Sequence, residues 1–106
     1  GGKKVFCYGI ASFIIQRCYE QIKVNLCDMN LPVTLIGYGA GDYYERDGAT
    51  HCILFDLDIM RVLPNMRIIT LDDANNSKTV AQLGYASKTP LYIRIGNFSL
   101  NQFIRR

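Results

Sequence analysis

The sequence predicts an α/β fold with three layers around a mainly parallel sheet of about four strands. Four short runs are almost continuously apolar, which is typical of strands buried on both faces. Segments of helical character separate these runs at the spacing of right-handed crossovers, which favours parallel pairing. The runs are Val5–Ile10, Pro32–Tyr38, Met66–Leu71 and Pro90–Gly96.

Each segment between the predicted strands contains a helix. The first helix runs from Ser12, as its N-cap, to about Asn30. The second covers about Leu54 to Leu63 after a polar loop, and the third covers about Asp73 to Ser87 with Asp72 or Asp73 as its cap. The first helix has an apolar stripe of Ile15, Cys18, Tyr19, Ile22, Leu26 and Met29.

Length and charge restrict the function classes. The 106 residues fit a single domain, and no apolar run is long enough to cross a bilayer. Twelve basic against nine acidic residues give a net charge of +3. The basic residues are scattered, whereas nucleic-acid binding needs a clustered basic face. We therefore expect a cytoplasmic domain that binds neither nucleic acid nor membrane.

The four cysteines are predicted to be buried free thiols in a reducing compartment. They lie at positions 7, 18, 27 and 52, beside predicted strands and helices, and form no C-x-x-C pair. With only one histidine in the chain, these spacings match no zinc site. We therefore expect no protein-bound metal.

The candidate site lies at the carboxyl ends of the predicted strands, where ligands of parallel sheets bind. The loop after the second strand carries His51, the only histidine, and imidazole exchanges protons near neutral pH. Asp47 could orient that ring, and Phe13 lies just past the first strand with an aromatic face. Two simpler interpretations stay open at this point: His51 as a structural helix cap and Phe13 as a core residue.

Two other motifs have simpler explanations than a ligand site. Gly37-Tyr38-Gly39-Ala40-Gly41 follows a strand, but no helix begins at once to hold a pyrophosphate, so a turn with close backbone approach is favoured. Asp56 and Asp58 are two residues apart, so on a helix they point to different faces. Both are interpreted as acids at a helix start.

Several segments, taken in order, resemble the pyrimidine-binding domain of the transketolase family, which includes deoxyxylulose-phosphate synthase. Together they span about residues 3–98. They are Ala11 to Ile22, Asn30 to Val33, Asp47 to His51, Asp56 to Arg61, Leu63 to Met66 and Pro90 to Arg94.

The resemblance implies part of a thiamine-diphosphate enzyme that moves two-carbon ketol or acyl units between sugars or aldehydes. It implies that Phe13 and Arg17 bind the cofactor, with Phe13 beside its pyrimidine ring. It also implies that His51 and Asp47 are the catalytic residues and contact the sugar. The diphosphate and Mg²⁺ would be held by a partner domain or subunit in a homo- or hetero-oligomer, because this sequence has no Gly-Asp-Gly motif.

The family's essential glutamate precedes the first strand seen here, so we expect a partial domain, residues 1–106, that is inert alone. Whether the substrate is phosphorylated stays open, since Asn97 stands where several members have arginine. One alternative is a non-catalytic α/β assembly module that retains the scaffold. Another is a flavodoxin-like binder, although Ala11-Ser12-Phe13 would make a poor phosphate loop.

Overall fold

Four parallel strands form the central sheet of the protein. The computed structural model describes residues 4–39, 53–71 and 74–95. The strands are β1 (Val5–Ile10), β2 (Val33–Tyr38), β3 (Arg67–Leu71) and β4 (Leu91–Ile95), and their order across the sheet is β1-β2-β4-β3. Every adjacent pair is parallel. The predicted α/β class and four-stranded parallel sheet are confirmed.

Helices cover both faces of this sheet. They are α1 (Tyr19–Gln21), α2 (Asp56–Arg61) and α3 (Ser77–Ala86), the last preceded by a 3₁₀ turn at Ala74–Asn76. Because side chains alternate along a strand, Tyr92 faces one core and its neighbours Leu91 and Ile93 face the other. The first core contains Ala11, Ile15, Ile22, Cys27, Leu35, Ile53, Met60, Leu63 and Tyr92, and the second contains Leu71, Val80, Leu91 and Ile93.

The first helical connection is not the continuous α-helix that the apolar stripe predicts. Two π-helical segments, Ser12–Gln16 and Ile22–Cys27, flank the short α1. Their hydrogen bonds span five residues, as in Asp28 N–H to Lys23 C=O at 2.9 Å. The wider turns shift the buried stripe to Ile15, Ile22 and Cys27, so Cys18 and Met29 of the predicted stripe are exposed.

The ends of the helices also differ from the prediction. Ala11, not Ser12, is the N-cap of the first connection, and Ser12 is buried within its first turn. The connection ends as predicted at Asn30, whose φ is 52°. Helix α3 begins at Ser77 after Asn76, later than predicted, whereas Asp72 and Asp73 lie outside the described residues.

Strand β1 lies at an edge of the described sheet, and this explains a second departure. The apolar run predicts burial on both faces, yet Tyr8 is 75% exposed and Val5 is 45% exposed. An apolar run cannot tell an edge strand from a central one, because the same side chains suit both positions. Cys7 of this strand is exposed as well, so of the three described thiols, all free, the predicted burial holds for Cys27 alone.

No helix in the three described ranges is long and apolar enough to cross a membrane.

Candidate functional site

The carboxyl ends of all four strands meet at one edge of the sheet. Ile10 pairs with Tyr38, Tyr38 with Ile95, and Ile95 with Leu71, so the last residues of the strands are in register. Beyond β2, Gly39 has a φ of 69° and donates its N–H to the Ile95 carbonyl at 3.1 Å. The positive φ suits glycine and ties the exit of β2 to β4. Ligands of parallel sheets bind at this edge.

Phe13 and Arg17 lie together in the first turn beyond β1. The Arg17 guanidinium carbon is 4.1 Å from the centroid of the Phe13 ring, a cation–π arrangement. Phe13 is half-buried, whereas Arg17 is exposed, and the buried residues Ala11 and Ser12 fix the start of this turn. The structure thus brings together the two residues predicted to bind a cofactor and places them at the edge of the sheet.

The other two predicted site residues, Asp47 and His51, lie outside the described residues, as does Asn97. The description resumes at Ile53, which is 1% exposed and belongs to the core that includes Tyr92 and Ala11. Helix α2 begins three residues later, at Asp56. The segment from Ile53 to Asp56 therefore anchors the chain directly after His51.

Asp56 is the centre of a buried polar group that the sequence patterns did not reveal. Its side chain is fully buried, and its Oδ2 accepts hydrogen bonds from the Tyr92 hydroxyl at 2.7 Å and from Arg94 Nε at 2.8 Å. Asp56 Oδ1 accepts none from the described residues. We call Asp56, Tyr92 and Arg94 the Asp56 cluster. It is held by a charge-assisted bond to a guanidinium that is itself 22% exposed.

Burial and the neighbouring Asp56 carboxylate both raise the pKa of the Tyr92 hydroxyl, and its hydrogen bond to that carboxylate adds to the effect. The Arg94 charge opposes these contributions but does not cancel them. The Tyr92 hydroxyl therefore stays protonated and remains a donor to Asp56 across the physiological pH range.

The interpretation of Asp56 as an acid at a helix start is correct for the backbone but incomplete for the side chain. Asp56 does begin α2, and Asp58 points elsewhere and is exposed, as the two-residue spacing predicts. One signal could have located the cluster: Tyr92 and Arg94 are two residues apart on a strand, so they share a face that is otherwise apolar. A buried tyrosine and arginine on one face need a polar, anionic partner.

Gly37 makes room for this cluster within β2. A Cβ placed on Gly37 would lie 2.9 Å from Tyr92 Cε1, 3.0 Å from its hydroxyl oxygen and 3.2 Å from Ala11 Cα. Real Cβ atoms do not tolerate such distances, so only glycine allows the tyrosine ring to cross the strand at this height. The predicted close approach at Gly37 is therefore present, but it is made by a side chain as well as by backbone.

No group of three or more potential metal ligands among His, Cys, Asp and Glu occurs within residues 4–39, 53–71 and 74–95. The described part of the edge therefore offers an aromatic ring and a guanidinium for a flat organic ligand.

Comparison with known proteins assigns this edge to a family. The chain matches the family model of the transketolase pyrimidine-binding domain over residues 1–101. It is 37% identical over 95 residues to a subunit of the apulose-4-phosphate transketolase of Phocaeicola vulgatus, covering 90% of this chain and 30% of that protein. It is 36% identical over 94 residues to 1-deoxy-D-xylulose-5-phosphate synthase of Campylobacter fetus subsp. fetus, covering 87% of this chain and 16% of that protein.

A solved structure agrees with these relatives. The fold is similar to that of a split-gene transketolase described as an inactive beta4 tetramer, with a TM-score of 0.75 and 33% sequence identity. That similarity covers 87% of this chain and 28% of the other. The chain thus spans less than a third of the length of each relative. It belongs to the transketolase family, whose members depend on thiamine diphosphate, and corresponds to the pyrimidine-binding domain.

Proposed function

We propose that this chain is the pyrimidine-binding part of a transketolase-like transferase that moves two-carbon ketol or acyl units between sugars or aldehydes. The observation that carries the proposal is the Phe13–Arg17 pair at the carboxyl edge of a parallel sheet in a chain of this family. When bound, thiamine diphosphate supplies the carbanion chemistry, and the protein supplies binding and orientation.

The described residues fit one half of this cofactor. The half-buried Phe13 ring provides an aromatic surface for a flat pyrimidine, and Arg17 covers that ring at 4.1 Å and holds its orientation. For the diphosphate and its Mg²⁺, the described residues supply no comparable ligand group. In the proposal these groups are held by a second domain or subunit, and the chain is inert without it.

Two relatives support such a partner. One is a single subunit of a transketolase that is named by its subunits, and the other is a split-gene transketolase that as a beta4 tetramer is inactive. By analogy, we infer that this chain works in an oligomer with a diphosphate-binding subunit or domain.

In the proposed enzyme, His51 and Asp47 handle the sugar. An imidazole can donate to or accept from a sugar hydroxyl, and a neighbouring carboxylate fixes which ring nitrogen carries the proton. The sheet edge on which Phe13 lies is also where the chain that carries His51 leaves β2 at Gly39. Cofactor and substrate would therefore be bound along the same edge.

Calorimetry on the full-length polypeptide, mixed with its complementary diphosphate-binding subunit, tests the cofactor assignment. We expect binding of thiamine diphosphate with Mg²⁺, and Phe13→Ala should weaken it by about tenfold because an aromatic packing contact is lost. Tyr85→Ala is the matched control, since Tyr85 is 71% exposed on α3. No binding by the wild-type mixture would support the non-catalytic assembly module instead.

Steady-state kinetics on the same complex test the sugar contact. His51→Ala should lower kcat/KM by about tenfold or more, because the buried sugar hydroxyl loses a hydrogen-bond partner. Cofactor affinity should be unchanged in this variant. Unchanged turnover would show that His51 does not contact the sugar.

A further inference from the structure

The Asp56 cluster joins the two parts of the candidate site that the sequence separates. Tyr92 Oη bonds to Asp56 at the start of α2, while the Tyr92 ring lies against Gly37 in β2. Ala11 approaches the same glycine from the first turn, two residues before Phe13. One tyrosine therefore contacts the start of α2 through its hydroxyl and the strand beneath the Phe13 turn through its ring.

Chain length links Asp56 to His51. Two peptide units separate Ile53 from His51, so their Cα atoms can be at most ~7 Å apart. Ile53 is buried in the core with Tyr92, and Asp56 is fixed three residues later by two hydrogen bonds. The range open to His51 therefore depends on where Ile53 and Asp56 are held.

The charge of Asp56 indicates more than ordinary packing. A fully buried carboxylate is costly, and apolar residues of similar volume often stabilise a core as well or better. The neighbouring core residues Ile15, Met60 and Leu63 show that apolar side chains fill this layer. A directional polar contact, unlike an apolar one, fixes the position and orientation of the groups that it joins.

We propose that Asp56 and Tyr92 are positioning residues that hold the Phe13 turn and the segment ending at Ile53 in a fixed relation across the sheet edge. This proposal rests on the proposed function of the site. Arg94 completes the device, because its Nε neutralises the buried carboxylate from near the end of β4. Neither positioning residue touches the cofactor or substrate in this proposal; each acts through the backbone that it fixes.

Tyr92→Phe is the main test because it keeps the ring that packs on Gly37 and removes the bond to Asp56. Asp56→Asn is the second variant, since it keeps the side-chain shape and removes the charge. Asp28→Asn is the matched control, because the Lys23–Asp28 pair is exposed and 3.5 Å long. All variants are made in the full-length protein and studied in complex with the diphosphate-binding subunit, well below their unfolding temperatures.

Two readouts separate positioning from general stability. Kinetics should show kcat/KM lowered by about tenfold to a hundredfold in Tyr92→Phe, as expected when reacting groups are misplaced by a fraction of an ångström. Amide hydrogen exchange should rise by about tenfold at residues 53–56 while it stays unchanged in β3. Asp28→Asn should change neither quantity.

A purely structural role predicts a different result. Exchange would then rise to the same extent in β3 as at residues 53–56, and kcat/KM would stay at the wild-type value; either result overturns the positioning proposal. The exchange measurement needs no cofactor. If the wild-type complex fails to bind thiamine diphosphate, the proposed function is wrong, and local exchange in Tyr92→Phe still decides whether the cluster fixes this segment.

Discussion

The two faces of the sheet are stabilised in different ways. On the face covered by α2, a buried carboxylate bonds to a tyrosine and an arginine within an otherwise apolar core. On the face covered by α3, Leu71, Val80, Leu91 and Ile93 pack without any charge. The buried polar contact on this side is the Thr34 hydroxyl, which donates to the Gly84 carbonyl at 3.3 Å. Directional contacts are thus concentrated on the face that supports the candidate site.

Each face also has one glycine at a close approach, and the two glycines differ in what they admit. Gly37 lies below the ring and hydroxyl of Tyr92 and against the backbone of Ala11. Gly84 of α3 lies near the ends of apolar side chains, with Phe6 Cε2 at 3.1 Å from a placed Cβ. The first glycine admits a fixed polar group, and the second allows a helix to pack closely on a sheet.

The largest expected effect is the loss of the charge partner on the α2 face. Arg94→Ala leaves the fully buried Asp56 carboxylate without its cation, which should lower the free energy of unfolding by about 3 kcal/mol or more. Lys23→Ala removes the exposed partner of Asp28 and should change it by less than about 0.5 kcal/mol. Denaturant unfolding of the full-length protein measures both values.

A double-mutant cycle sharpens this result. Combining Arg94→Ala with Asp56→Ala removes the charge together with its partner, so the double variant should be less destabilised than the sum of the single variants. Strictly additive effects would show that the two side chains do not interact in solution.

The strands and their parallel pairing could be predicted because they depend on local apolar runs and on the spacing between them. Two features could not. Exposure of Tyr8 depends on the position of β1 at the edge, and the π-helical turns depend on how the first connection fits over the sheet. Neither leaves a periodic signal in the sequence.

The candidate site shows the same division. Phe13 and Arg17 are four residues apart, so a helical turn brings them together, and their association follows from local structure. Asp56 lies 36 residues from Tyr92 and 38 from Arg94 in sequence, so their contact depends on the tertiary fold. Sequence spacing placed Asp56 at the start of a helix but contained no information on what its carboxylate would meet.

The two close-approach glycines provide the second prediction. Gly37→Ala forces its methyl group to within 3.0 Å of Tyr92 and 3.2 Å of Ala11, which should destabilise the protein by about 2 kcal/mol through overpacking. Gly84→Ala should have a net effect below about 1 kcal/mol, because the gain in helix propensity offsets the tight contact with Phe6. Thermal unfolding of the two variants measures the difference. Equal losses would mean that the two faces resist added volume equally.

The smallest expected effect is a difference in alkaline stability that isolates the Tyr92 hydroxyl. Its pKa is raised in the folded protein, mainly by burial, so above pH ~10 the unfolded chain releases this proton while the folded chain keeps it. Stability due to this group is therefore complete below the ordinary tyrosine pKa and is lost as pH rises above it. The wild type should lose about 1 kcal/mol more than Tyr92→Phe between pH ~9 and pH ~11.

Other alkaline groups do not obscure this difference between the two proteins. Burial also raises the pKa of the Cys27 thiol, with a further contribution from Asp28, but that thiol titrates in both the wild type and the variant. Denaturant unfolding at several pH values measures the two slopes. Parallel slopes would show that the Tyr92 hydroxyl ionises as easily in the folded protein as in the unfolded chain, which is incompatible with a buried hydrogen bond to Asp56 and would remove the polar contrast between the two faces.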